Sequence, residues 1–171
     1  SDSGNFEDNL TQMVVNRDFG AEPQFTVTHR NGLLIVDTPS LYLTYDGKPF
    51  SKEGLSIVVK GISDSQFNTW HYGDAPRHNL KGTARTLDEA DGEIPLDNGI
   101  LSRDGWAVID DSRSNVIVEA GEIDGKPNPL GAWVMPRKHE ETDCYFFGYG
   151  HRYVNAVKDF YKLTGPTPLL P

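Results

Sequence analysis

The sequence contains a single cysteine, Cys144, in 171 residues. This excludes an intrachain disulfide and any metal site built from cysteine thiolates. Aromatic residues follow Cys144 directly, so we expect a small buried side chain in a strand. Histidine is also sparse, and His71 and His78 lie seven residues apart with no third ligand in sight. A metal site needs three or four ligands in fixed geometry, so neither a metal nor another cofactor is predicted.

Basic residues are outnumbered, with 16 Lys and Arg against 25 Asp and Glu, and the formal net charge is −9. An acidic surface repels phosphate backbones and anionic lipids, so we expect neither nucleic acid nor a membrane as partner. No apolar run approaches the roughly 20 residues needed to span a bilayer, and no signal-peptide pattern is present. The chain opens without Met and ends on Leu-Leu-Pro. We expect a piece of a longer protein, cytoplasmic or secreted.

Several catalytic patterns are missing as well. The sequence has no Gly-x-Ser-x-Gly turn, no Gly-x-Gly-x-x-Gly fingerprint and no phosphate loop. Carboxylates are present, and a pair of them at a fixed separation can hydrolyse a glycoside, whereas one is enough to accept a hydrogen bond from a sugar hydroxyl. Solvation is their ordinary role. The acidic side chains of interest are Asp88, Glu89, Asp91, Glu93, Asp97 and Asp104.

Turn-forming residues are abundant, with 17 glycines and 11 prolines, and they separate short apolar segments. Segments of this length and spacing predict a mainly β fold, an antiparallel β-sandwich. Turns are predicted at Asn31-Gly32, Thr38-Pro39 and Asp46-Gly47, the last as a hairpin in which both residues tolerate positive φ. The predicted strands are 24–30, 33–36, 41–45, 55–60, 67–72, 105–111, 116–119, 132–134 and 144–147.

One helix is predicted, over residues 151–163. An apolar stripe of Val154, Val157, Phe160 and Tyr161 recurs at helical spacing, and Gly165 followed by proline would end the helix.

Residues 82–103 show neither the two-residue period of a strand nor the spacing of a helix, so they form a predicted long loop. Loops of that length in compact domains tend to be functional. Trp106 and Trp133 occur in alternating segments and are expected in the core. Trp70 is left open between the core and stacking on a sugar ring.

Six segments together resemble a known family. FED (6–8) precedes VVNR (14–17), the middle of the chain reads NLKGTARTLD (79–88) and IPLDNGILSRDGW (94–106), and the end reads DCYFFGYG (143–150) and KDFYKLTGPTPLLP (158–171). This pattern is similar to the N-terminal domain of glycoside hydrolase family 31, the α-glucosidase and α-xylosidase family. The C-terminal segment is the most specific part, because in that family a helix, Leu-Thr-Gly and a proline-rich exit lead into the catalytic barrel.

The resemblance implies a galactose mutarotase-like β-sandwich at 1–150, with a long loop at 82–103. Residues 151–171 would be a helix and linker toward a (β/α)8 barrel outside these 171 residues. It also implies retaining hydrolysis of terminal α-glycosidic bonds by two barrel aspartates. This segment alone would then contain no catalytic residue and be inactive.

The resemblance further implies that the loop reaches the sugar pocket. Asp97 is the leading substrate-binding residue, accepting hydrogen bonds from hydroxyls, followed by Asn98, Arg85 and Asp88. Arg85 would hold the loop through a salt bridge. The expected partners are an α-linked oligosaccharide or glycoside and the barrel, on the same chain or a separate one. Two alternatives stay open: a free-standing carbohydrate-binding module acting through Trp70 and the acidic loop, and a purely structural support domain.

Overall fold

The computed structural model describes residues 6–20, 23–62, 67–82, 89–118, 121–123, 126–127 and 131–166. Within them the protein is mainly β, with antiparallel sheets and one helix. The predicted mainly β class is therefore confirmed. Two compact units are present, and the boundary predicted at residue 150 stays a prediction. The larger, here the sheet unit, comprises residues 21–108 and 146–157, and the second unit comprises 1–20, 109–145 and 158–171.

A five-stranded antiparallel meander forms the sheet unit, because each strand pairs with the next along the chain. Its strands are β1 (Thr26–Arg30), β2 (Leu33–Asp37), β3 (Leu41–Tyr45), β4 (Leu55–Val59) and β5 (Thr69–His71). All five lie within predicted segments, give or take a residue at the ends.

Strand β4 shows why the alternation is predictive. Leu55, Ile57 and Val59 are buried, while the residues between them are only partly buried, as the two-residue period of a strand requires. Ile57 lies opposite Trp70 of β5 in the register. The buried core of this unit also includes Trp106. Strand β1, by contrast, forms as predicted but is exposed along its whole length.

Of the three predicted turns, the two that contain glycine behave differently. Asn31 and Gly32 both have positive φ, 52° and 78°, as a two-residue hairpin turn requires. At the second site only Gly47 has positive φ. The β3–β4 connection runs over residues 46–54, with the Asp46 N–H donating to the Gly54 carbonyl. The prediction of a tight hairpin at Asp46-Gly47 is therefore wrong, because the Asp46 side chain accepts from the Lys48 N–H and starts a wider loop.

The remaining strands are short. β7 (Val116–Val118) pairs with β10 (Trp133–Met135), β8 (Glu122–Ile123) pairs with β9 (Lys126–Pro127), and β6 (Ala107–Asp110) pairs with β11 (Cys144–Phe147). In the second unit, the three residues of β10 are all exposed. Trp133, predicted in the core, is 37% exposed. That prediction is wrong because the side chains of β10 stay largely uncovered within the described part of the chain.

Cys144 also departs from its prediction. It lies in β11 as expected, but it is exposed rather than buried. Partial desolvation of the thiol, with the nearby Asp110 and Asp143 carboxylates, raises the Cys144 pKa to about 11. The thiol is therefore protonated at neutral pH and is a poor nucleophile.

A buried ion-pair cluster organises the second unit around Arg137, whose side chain is 5% exposed. The guanidinium donates to Asp143 at 2.8 Å and to Glu141 at 3.2 Å, and Asp111 Oδ2 lies 3.7 Å away. Thr11 donates its hydroxyl to the same Asp111 oxygen at 2.7 Å. Three chain segments that are distant in sequence therefore meet at one cation.

Helix α1 runs over Tyr153–Thr164, two residues later at its start than predicted. Gly165, with φ 82°, follows its last residue, as predicted. The prediction of the buried face is wrong in part: Val154 is 66% exposed, and Ala156 and Leu163 are buried instead. Both stripes have helical spacing, so periodicity alone favoured the larger side chains. This helix is too short and too polar to cross a bilayer.

Candidate functional site

The base of the predicted loop is closed by backbone hydrogen bonds within the sheet unit. The Leu80 N–H donates to the Leu101 carbonyl at 2.9 Å, and the Arg103 N–H donates to the His78 carbonyl at 3.0 Å. Asn79 and Ser102 form an isolated antiparallel bridge between these two contacts. The two ends of the loop are thus held together like the start of a hairpin, although no strand or helix forms in its described residues, 82 and 89–103.

The Asn79 side chain reinforces this closure. Its amide nitrogen donates to the Gly99 carbonyl at 2.8 Å, and its amide oxygen accepts from the backbone N–H groups of Gly99 and Lys81. An amide is suited to this because it donates and accepts at once. These hydrogen bonds hold Gly99 in place, directly after residues 97 and 98.

A contact between His78 and Asp104 also joins the two ends of the loop. Asp104 Oδ1 lies 2.6 Å from His78 Nδ1, and Oδ2 accepts from the His78 N–H at 3.0 Å. The Asp104 side chain is only 2% exposed. Burial alone would raise its pKa, but the hydrogen bonds from the His78 backbone and ring outweigh burial and hold the Asp104 pKa below its usual value.

We expect Asp104→Asn to lower the free energy of unfolding by about 1–3 kcal/mol at pH 7, because the His78 contacts lose a charged acceptor. A lowered pKa in the folded state means that ionised Asp104 stabilises the fold fully above the usual value of about 3.9 and loses this effect as pH falls through the folded value. Urea unfolding between pH 7 and pH 2.5 should show the two proteins converging. Asp91→Asn, on an exposed residue, is the control. A difference that persists unchanged at low pH would contradict the ionic contribution.

Two of the four predicted substrate-binding residues lie in the described structure. Asp97 and Asn98 are adjacent and exposed, directly before the closed base. Asn98 Oδ1 accepts from Lys81 Nζ at 2.5 Å. Arg85 and Asp88 lie outside the described residues. The acidic side chains at 89, 91, 93 and 97 are all exposed, whereas Asp104, predicted with them, is buried and structural.

A cleft of about 450 Å³ lies in the sheet unit, beside β5 and Asp104. Neighbours in a strand point to opposite faces, so His71 lines the cleft while Trp70 enters the core. Asp74 accepts from Lys52 Nζ at 2.6 Å, and the His71 ring lies 3.5 Å away. The hydrogen bond from Lys52 holds the Asp74 pKa below its usual value despite desolvation.

The tryptophans limit how this cleft can bind sugars. Trp70 is 5% exposed and donates its indole N–H to the Asp74 carbonyl, so it cannot stack on a sugar ring. This overturns the predicted role of Trp70 in a free-standing carbohydrate-binding module. Trp106 is buried as predicted; it forms part of the cleft wall, and its N–H donates to the Phe67 carbonyl at 2.8 Å.

Sequence reasoning missed both His–Asp pairs. No spacing in the sequence signals the His78–Asp104 pair, because its members lie 26 residues apart, on either side of the aperiodic segment. No group of three His, Cys, Asp or Glu side chains in the described residues is arranged to hold a metal ion.

No protein-family model and no curated protein matches this sequence. The functional assignment therefore depends on the residues themselves and on their geometry.

Proposed function

We propose that this chain is the N-terminal β-sandwich domain of a retaining α-glycosidase of glycoside hydrolase family 31. The proposal includes a galactose mutarotase-like sandwich and a (β/α)8 barrel that provides the two catalytic aspartates. The observation that carries it is the ordered set of motifs from residue 79 to residue 171, which resembles the family's order of a sandwich loop, a late strand, and a helix and linker that lead into the barrel. The antiparallel five-stranded sheet is of the kind such a sandwich requires.

The loop geometry supports a role in binding terminal α-linked sugars. A residue that orients a substrate must be held within a fraction of an ångström, and a loop meets that demand when its supports are rigid. Asn79, together with the His78–Asp104 pair, gives the loop base that rigidity. Asp97 lies directly beyond it with an exposed carboxylate, which can accept hydrogen bonds from two hydroxyls of one sugar.

In the enzyme that contains this chain, we expect Asp97→Ala to lower kcat/KM for α-glucosides or α-xylosides about 5- to 150-fold. This corresponds to about 1–3 kcal/mol for hydrogen bonds left unmade in a desolvated pocket. Steady-state hydrolysis of 4-nitrophenyl α-glucoside and α-xyloside measures it. The matched control is Asp91→Ala, another exposed carboxylate of the same loop. Equal kinetics for the two variants would remove Asp97 from the pocket.

The 171-residue chain alone should not hydrolyse these substrates, because both catalytic aspartates would lie on the barrel. Calorimetry with maltose and with an α-xyloside separates this proposal from the carbohydrate-binding alternative. A domain that only completes a pocket gives no measurable heat with either sugar, whereas a binding module gives a saturable isotherm.

A further inference from the structure

In the cleft beside β5, more hydrogen-bond donors than acceptors remain available to a ligand. Both of its carboxylates are already engaged: Asp74 accepts from Lys52 and faces His71, and Asp104 accepts twice from His78. A ligand that brings mainly hydroxyl or amine donors would compete with these bonds. A ligand that brings acceptors would not.

Arg77 is the principal available donor. Its guanidinium lies over the Phe67 ring, 5.6 Å from the centroid, and has no carboxylate partner among the described residues. This cation–π contact restrains the guanidinium near the ring, and a guanidinium has five N–H donors to offer a ligand. Lys52 and His71 line the same cleft with further N–H groups, since Lys52 spends one of its three donors on Asp74.

We propose that this cleft binds a small organic oxyanion, a phosphate or carboxylate group attached to a compact body. Arg77 would bind the oxyanion in a bidentate manner, the geometry that a guanidinium fork and two anionic oxygens share. Lys52 and His71 would complete the donor set, and the body would lie against Phe67 and Trp106. The volume, about 450 Å³, lies within the range of small-molecule sites.

The charge of the whole chain limits the size of the anion that the cleft can bind. The formal net charge of −9 repels anions at long range, so a ligand must be small and must gain its affinity from direct contacts. A polyanion such as nucleic acid would meet this repulsion over its full length. The proposal does not depend on glycosidase activity, and it concerns residues other than Asp97.

The test is a titration of the ¹⁵N-labelled 171-residue chain, followed by heteronuclear NMR, with inorganic phosphate, acetate, glucose 6-phosphate and glucose as probes. We expect saturable shifts at the amides of Thr69, His71 and Arg77 with phosphate, acetate or both, and tighter binding of glucose 6-phosphate than of phosphate. The phosphate and acetate arms identify which oxyanion is preferred. Glucose should give no shifts in the cleft. Absence of saturable shifts with all three anions would overturn the proposal. Shifts centred instead on Lys60 and Arg152, which line a separate cleft of the sheet unit, would overturn it as well.

Variants assign the effect to the guanidinium. Arg77→Gln should weaken binding about tenfold or more, the loss expected for a charge-assisted bidentate contact. Arg77→Lys, which keeps the charge but not the fork, should fall between Arg77→Gln and the unmodified chain. The control is Arg113→Gln, which removes the same charge from an exposed position in the second unit. Equal affinity of the Arg77→Gln and Arg113→Gln chains would count against the cleft, because the binding would then follow net charge alone.

Discussion

Replacing Arg137 by Met is expected to lower the free energy of unfolding of the second unit by about 3–5 kcal/mol. The methionine fills much of the same volume, so the loss comes from charge rather than from a cavity. Arg137 is the only cation within 4 Å of three carboxylates, those of Asp111, Glu141 and Asp143, among the residues that the structure describes. Without it these groups must be buried unpaired or take up protons on folding.

The hydrogen bonds around Arg137 add to this cost. Its guanidinium also donates to the carbonyls of Ser114 and Asp111, at 3.2 Å each. Oδ1 of Asp111 already lacks a hydrogen-bond partner among the described residues, so the cluster has no spare donor to reassign. Arg137→Lys should recover part of the stability, because an ammonium keeps the charge but cannot reach all of these acceptors.

Residue-resolved hydrogen exchange and urea unfolding together measure the effect, because exchange assigns the loss to the second unit. Arg113→Met is the matched control: its side chain is exposed, and exposed charges contribute less than about 1 kcal/mol. If Arg137→Met cost no more than Arg113→Met, the buried cluster would be energetically neutral, as some buried ion pairs are.

The sequence predicts those features of the fold that depend on a short-range pattern of residues. Leu55, Ile57 and Val59 alternate, and β4 buries them; Gly165 follows a helical stripe, and α1 ends there. These features depend on neighbours within one element. The mainly β class follows from repeating them along the chain.

Features that depend on partners far away in sequence could not be read in the same way. His78 meets Asp104 across 26 residues, and Thr11 meets Asp111 across 100. Neither spacing carries a signature, because each contact is created by the tertiary fold rather than by a local period. Trp133 fails for a related reason: its strand forms close to the predicted position, but burial requires a second layer over it.

For the candidate site, the sequence identified the loop but not what holds it. Asp97 stands out by its place in the family-like motif, whereas Asp104 falls among the other acidic residues because nothing local distinguishes it. Its burial and its lowered pKa come from His78, which sequence reasoning assigned to no site. Arg77 was missed as well, since a lone arginine becomes informative only once Phe67 is seen beneath it.

Trp106→Ala should lower the free energy of unfolding of the sheet unit by about 3–5 kcal/mol, the usual cost of deleting a large buried aromatic side chain. Trp106 is 5% exposed and stacks with Phe146, the ring planes 18° apart. Truncation leaves a cavity in the core cluster and removes the donor to the Phe67 carbonyl. Trp106→Phe separates the two terms, because it restores most of the apolar area but not the hydrogen bond, which contributes about 0.5–1.5 kcal/mol.

Trp133→Ala is the matched control for this truncation, since it deletes the same side chain from a strand where 37% of the residue is exposed. We expect a loss below about 1.5 kcal/mol there, in proportion to the smaller area removed from water. Thermal unfolding followed by circular dichroism, with hydrogen exchange to assign the unit, gives both values. The anion cleft adds a second readout, because Trp106 forms part of its wall: Trp106→Ala should weaken phosphate binding, and Trp133→Ala should not. Equal stabilities for the two alanine variants would mean that Trp106 is not the centre of the core that its burial indicates.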